Sequence, residues 1–262
     1  MNALMEGVLA DLATESERLE SLVVALPDAG WRTPTPAPGW DIATQIAHLA
    51  WTDEAAVAAA TDKARWDALL TDLLTDVNGV VDRAALSGGA VAPTDLLARW
   101  RTARGDLVAA LRHHPEGARM PWFGPPMSAT SMSTARFMET WAHSLDVHQA
   151  LGAEPEITDR IRHVAHLGVR TRNFAYSVHG LEAPAEEFRV SLTAPSGDLW
   201  VFGPEDASQT VTGAAYDFCL LVTQRVNRAD TSLVGVGRDA NTWLGIAQCF
   251  AGPPGEGRER RD

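Results

Sequence analysis

Apolar positions recur along this chain at two different periods, and the change falls near residue 183. Before it the period is helical. Met5, Val8, Leu12, Leu19, Leu22 and Val23 share one stripe, which predicts a helix over residues 3–26 stopped by Pro27-Asp-Ala-Gly30. The three prolines of residues 33–39 cannot continue a helix. Asp41 then caps a second helix whose apolar face is Ile42, Ile46, Leu49 and Ala50. Residues 62–85 read as helical with a break at Asn78-Gly79. Pro93-Thr-Asp95 opens another helix, periodic through Leu96, Leu97, Trp100, Leu107 and Leu111, that ends at His113-His114-Pro115. A loop holding Pro121-Trp-Phe-Gly-Pro-Pro126 leads to Ser128, Thr130, Ser131, Ser133 and Thr134, the start of a helix reaching Leu151. Gly152 and Pro155 stop it, and a last helix covers residues 157–179. Amphipathic segments in this succession predict an antiparallel bundle.

Beyond residue 183 the period shortens to two. Phe188, Val190, Leu192 and Ala194 alternate with Arg189, Ser191 and Thr193, a half-buried strand followed by a turn at Pro195–Asp198 and a partner strand at Leu199–Phe202. A third strand at 209–212, a helix at 214–225, a strand at 232–236 and a helix at 241–250 complete the pattern. The expected fold class is α plus α+β: a helical bundle over residues 1–182, a small α+β domain over 183–255 and a disordered tail over 256–262.

Charge narrows the function. Thirty-four acidic against 22 basic residues give a formal charge of −12. Such a chain is a poor non-specific partner for nucleic acid or an anionic membrane surface, because phosphate binding needs a basic face. No run of about 18 apolar residues is present, and the first twenty residues lack a basic stretch followed by an apolar one. A cytoplasmic location is expected. Cys219 and Cys249 cannot build a disulfide framework and lie in apolar helical stretches, where buried thiols are common. No phosphate-binding glycine loop or dinucleotide fingerprint is found.

Candidate chemistry centres on three side chains. Glu139 and His143 are four apart and share one face of a predicted helix, while His48 sits on another. Two ligands from one helix and one from a neighbour can meet in a bundle core. Two histidines and a carboxylate are a ligand class of catalytic zinc that leaves room for water or substrate, and the set also suits other divalent metals. Spacing alone favours the ordinary alternatives: a solvated Glu–His pair, and a core histidine in the apolar run Ile46-Ala-His-Leu-Ala-Trp51. Trp40, Trp51, Met138 and Trp141 around these polar groups raise the case for a site, with the core histidine still the stronger reading of the residues alone. The remaining histidines offer less. His113 and His114 complement a helix dipole, His163 and His166 have no third ligand, His179 ends a helix, and His148 points about 140° away from His143.

Two stretches carry a family resemblance. Residues 38–51, PGWDIATQIAHLAW, and residues 136–148, RFMETWAHSLDVH, resemble the two motifs of the DinB-like mycothiol-dependent maleylpyruvate isomerase family. The resemblance covers roughly residues 5–180 and implies a DinB-like antiparallel four-helix bundle. It implies His48, Glu139 and His143 as metal ligands, and Asp146 as a catalytic residue that orients a ligand histidine or relays a proton. Residues 194–204, 217–225 and 243–252 resemble a C-terminal domain related to wyosine-base formation, with a sterol-carrier-like layout. A C-terminal arginine lies near the substrate in the family; Arg225 and Arg238 are the candidates here.

The implied cofactor is a divalent metal, zinc first, with nickel, iron and manganese as alternatives; mycothiol is the implied co-substrate. The implied activity is isomerisation of, or thiol transfer to, a small electrophilic metabolite. A thiol-independent hydrolase, lyase or cyclase is a second reading, and a non-catalytic small-molecule carrier a third. The expected partner is a small molecule, with no nucleic acid and no membrane; a homodimer is compatible with the pattern.

Overall fold

The computed structural model of the protein describes residues 2–76, 79–255 and 257–261. The chain forms two compact units, Met1–Pro155 and Glu156–Asp262. In the first, α1 (Ala3–Val23), α2 (Ile42–Thr61), α5 (Pro93–His113) and α6 (Ala129–Leu151) make the bundle, and α3 (Lys63–Thr75) and α4 (Val80–Gly89) pack beside α2. The helix expected over 62–85 is thus two helices; Asn78, half of the expected break, lies outside the described residues.

Local chemistry fixes the helix ends that position the site. Asp41 accepts a hydrogen bond from the Thr44 amide at 2.8 Å and so caps α2. Ser128 does the same for α6, through the Ser131 amide. Gly152 closes α6 in the left-handed region, with φ at 62°, where a side chain would be strained. The core between α1, α2 and α5 is built from Leu19, Val23, Ile42, Ile46, Leu49, Leu96 and Trp100, all fully buried.

One buried ion pair sets the register of α2 on α6. Arg136 donates from Nε to Asp53 Oδ1 at 2.8 Å and from Nη2 to Thr52 Oγ1 at 2.7 Å, with Arg136 1% exposed and Asp53 3%. Asp53 lies after His48 on α2, whereas Arg136 lies before Glu139 on α6, so the two helices run antiparallel.

The second unit begins earlier than the sequence pattern suggests. Residues 156–182, expected to complete the bundle, belong instead with the sheet: α7 (Arg162–Arg170) packs on α9 (Ala215–Val222), and α8 (Arg172–Val178) on α10 (Arg238–Ile246). The cause is visible at Gly168, where a Cβ would stand 2.9–3.0 Å from side-chain atoms of Phe218 and Val222; α7 and α9 touch backbone to side chain. The sheet order is β2–β1–β3–β4, with β1 (Arg189–Thr193) antiparallel to β2 (Leu199–Phe202) and parallel to β3 (Thr210–Ala214), and β3 antiparallel to β4 (Val234–Val236). Trp243 of α10 meets Phe188 and Phe218 edge-on in the core of this unit. The described part of the tail, residues 257–261, has no regular structure, though the Arg258 carbonyl accepts from Asn227 and the Arg261 amide donates to Asp230. Among the described residues no helix is long and apolar enough to cross a membrane.

Candidate metal centre

The capped α2 and α6, locked by Arg136 and Asp53, bring His48, Glu139 and His143 together. One ligand-type atom from each lies within 4.8 Å of the others, the one such cluster among the described residues. Glu139 Oε2 stands 3.5 Å from His48 Nε2 and 3.2 Å from His143 Nε2, and the two imidazole centroids are 4.6 Å apart. These separations are long for charge-assisted N–H···O bonds, which run about 2.7–2.9 Å. The two separations from Glu139 are close to the edge of a tetrahedron, since ligands about 2.0–2.1 Å from a zinc ion stand about 3.3 Å from one another. The donor set and its spacing therefore fit a divalent metal.

Electrostatics agree. Burial works to raise the Glu139 carboxyl, but the hydrogen bonds and charges of His143 and His48 outweigh it and hold the group well below the usual carboxylate range. Glu139 is an anion at neutral pH, ready to neutralise a cation between the rings.

The walls come from neighbouring residues. The Trp40 ring lies over His143, centroids 6.0 Å apart and planes 16° from parallel, and tilts against His48 at 5.2 Å. Its indole Nε1 donates to Asp82 of α4 at 3.1 Å. On Trp40's border is a cavity of about 400 Å³, also lined by Arg32, Thr35, Asp41 and Thr44. One turn beyond His48 on α2, Trp51 stacks on Phe123 at 5.8 Å, and Phe123 and Trp122 meet Trp66. The Trp122–Met127 loop is thereby pinned to the bundle.

Gln45, which no motif in the sequence singles out, is a polar neighbour of the cluster. His143 Nδ1 donates to Gln45 Oε1 at 2.5 Å, and Gln45 is fully buried. Its signal in the sequence is a polar side chain three residues before His48, between the apolar positions Ile42 and Ile46 of the same helix. His48 has no equivalent among the described residues: its Nδ1 is buried without a protein partner there.

Asp146 is buried on α6, 1% exposed, and is not one of the three clustered groups. Arg225 and Arg238 both belong to the second unit; Arg225 Nη1 donates to the Thr223 carbonyl at 2.7 Å, and Arg238 opens α10. His148 Nδ1 turns back to the Ser144 carbonyl, and His113 Nδ1 to the Ala109 carbonyl. Both cysteines are buried.

Comparison with known proteins places these features in a family. Residues 12–148 match the family model described as mycothiol maleylpyruvate isomerase N-terminal domain, a span that includes all three clustered side chains. Residues 184–234 match a model described as wyosine base formation. An uncharacterised protein of Mycobacterium tuberculosis, present in strains CDC 1551 and H37Rv, is 54% identical over 250 residues, 95% of this chain and 97% of its own length. Crystal structures of a mycothiol-dependent maleylpyruvate isomerase and of a histidine-to-alanine mutant of it share the fold, with TM-scores of 0.59 and 0.60 at 16% identity, over 90% of this chain and 95% of theirs.

Proposed function

Starting from a chain that belongs to the mycothiol maleylpyruvate isomerase N-terminal domain family, we propose that it is a divalent-metal-dependent enzyme that uses a thiol, mycothiol, to isomerise or conjugate a small electrophilic metabolite. The observation that carries this reading is the meeting of His48, Glu139 and His143, with Glu139 Oε2 3.5 and 3.2 Å from the two imidazole nitrogens and all three ligand atoms within 4.8 Å of one another. These three residues would hold the ion, zinc being the first choice for two imidazoles and a carboxylate. Bound there, the ion would supply Lewis acidity that keeps a thiol ionised at neutral pH.

The chain's own residues supply the rest. Glu139 offsets the cation's charge and is already ionised without it. Trp40 covers one face of His143 and so shields the imidazole from water. Asp146, buried three residues beyond His143, is assigned to proton relay or ligand orientation. A cytoplasmic location and a small-molecule substrate belong to the same reading.

Elemental analysis of the purified protein tests it. One equivalent of divalent metal is expected in the wild type, and a loss of most of it in His48→Ala and in His143→Ala. Full metal content in both variants rejects the ligand assignment. Turnover of an electrophilic substrate at the same rate with and without mycothiol rejects the thiol, and leaves the metal enzyme.

A further inference from the structure

The hydrogen bonds behind His143 form a chain with a fixed direction. The Trp40 carbonyl has no proton to give, so the Thr35 hydroxyl donates to it, at 2.9 Å. With its proton committed, Thr35 Oγ1 accepts from Gln45 Nε2 at 2.8 Å. That turns Gln45 Oε1 toward His143, where it accepts from Nδ1 at 2.5 Å. With a metal bound, His143 then carries its single proton on Nδ1 and leaves the Nε2 lone pair for the ion. Reversing the amide takes the Thr35 proton away from the Trp40 carbonyl, and so makes one bond fewer. It also hands His143 the opposite tautomer, with a proton where a ligand lone pair is needed.

We propose that Gln45 is a positioning residue that selects the Nε2-ligating tautomer of His143 and holds its ring in place, anchored through Thr35 to the backbone at Trp40. This rests on the metal-centre reading above. Gln45 does not touch the reacting atoms; it acts through His143 alone. Among the described residues no side chain or carbonyl takes the equivalent place behind His48 Nδ1, so the protein holds the two histidines of the centre differently. His143 is the preorganised ligand, and the metal's affinity depends on Gln45 more than on any group behind His48. Outer partners of ligand histidines typically contribute 10–100-fold in metal affinity.

The test compares zinc dissociation constants by competition with a chromophoric chelator in wild type, Gln45→Leu, Gln45→Glu and Thr35→Val. Gln45→Leu should weaken zinc binding about 10–100-fold. Gln45→Glu keeps an acceptor for Nδ1 and should hold affinity near the wild-type value, which a purely space-filling role for Gln45 does not predict. Thr35→Val, which frees the amide to turn, should fall between them. Nitrogen-15 NMR of the histidine rings in the zinc-loaded protein should show His143 protonated at Nδ1. Wild-type affinity in a folded Gln45→Leu variant, or a His143 ring protonated at Nε2, overturns the assignment while the metal centre stands. A wild-type protein that takes up no zinc removes the centre itself, and the role of Gln45 with it.

Discussion

Cys219 has no solvent exposure, and its thiol donates to the Ile161 carbonyl at 3.4 Å. Burial pushes the thiol well above its ordinary range, and the neighbouring Cys249 adds to the shift. Thiolate is the reactive form, so this side chain is inert at neutral pH even in a protein proposed to act on a thiol. Neither cysteine should react with an aromatic disulfide reagent in the native state at pH 7, and both should titrate in denaturant. Rapid native labelling of one equivalent would show an accessible thiol where the structure has none. The same residue scale explains what the sequence disclosed of the centre. Its three candidate ligands were legible because each sits in a short motif of distinctive order. Gln45 was not, because its role depends on Thr35 and Trp40, which reach it through a proline-rich turn that carries no period.

Two polar contacts between helices do more for the bundle than their number suggests. Arg136 and Asp53 are both nearly sealed from water, and removing one partner leaves a buried charge uncompensated. Arg136→Met should cost about 3–5 kcal/mol in urea unfolding, while the double change with Asp53→Leu should recover most of it. An equal loss in the single and double variants would mean that packing, not charge, is at stake. On the bundle's outer face Glu20 of α1 joins Arg101 and Arg104 of α5. The Arg101 hydrogen bond, opposed by burial and helped by Arg104, draws Glu20 below its ordinary value of 4.5. A carboxyl depressed on folding contributes stability above its unfolded value and loses it as pH falls through the folded one. The melting-temperature gap between wild type and Glu20→Gln should therefore be present at pH 7 and narrow as acid takes the pH below the ordinary carboxylate value; a gap that does not narrow with acid would contradict it. Helix ends are legible in the sequence at Asp41, Ser128 and Gly152, whose chemistry is local. The assignment of α7 and α8 was not, because their apolar stripes suit either a bundle or a sheet. Which one they cover is decided by the close approach at Gly168 and by residues fifty positions away. The parallel pairing of β1 and β3 was equally hidden, since alternation gives a strand's faces but not its neighbour.

At the scale of the whole molecule, the proposed centre divides the two units energetically. His48 comes from α2, Glu139 and His143 from α6, with three helices between them in the chain and all within Met1–Pro155. An unfolded chain cannot hold these groups a few ångströms apart, so the metal binds the folded bundle and stabilises it by mass action. At a free zinc concentration 100 times its dissociation constant the gain is about 2.7 kcal/mol. Hydrogen exchange on the intact protein reads where that energy goes. Zinc should slow exchange in α2 and α6 most, because opening either helix must release a ligand, and α5, which packs on α2, should follow. The stabilisation should vanish in His143→Ala, in which the bundle core survives but one corner of the tetrahedron is gone. Protection that rises without α2 and α6, or that persists undiminished in His143→Ala, would place the ion elsewhere on a chain with 34 acidic side chains to offer. The acidic surface makes that control necessary, since carboxylates hold cations weakly at many points, whereas a centre built from two imidazoles and one carboxylate joins α2 to α6.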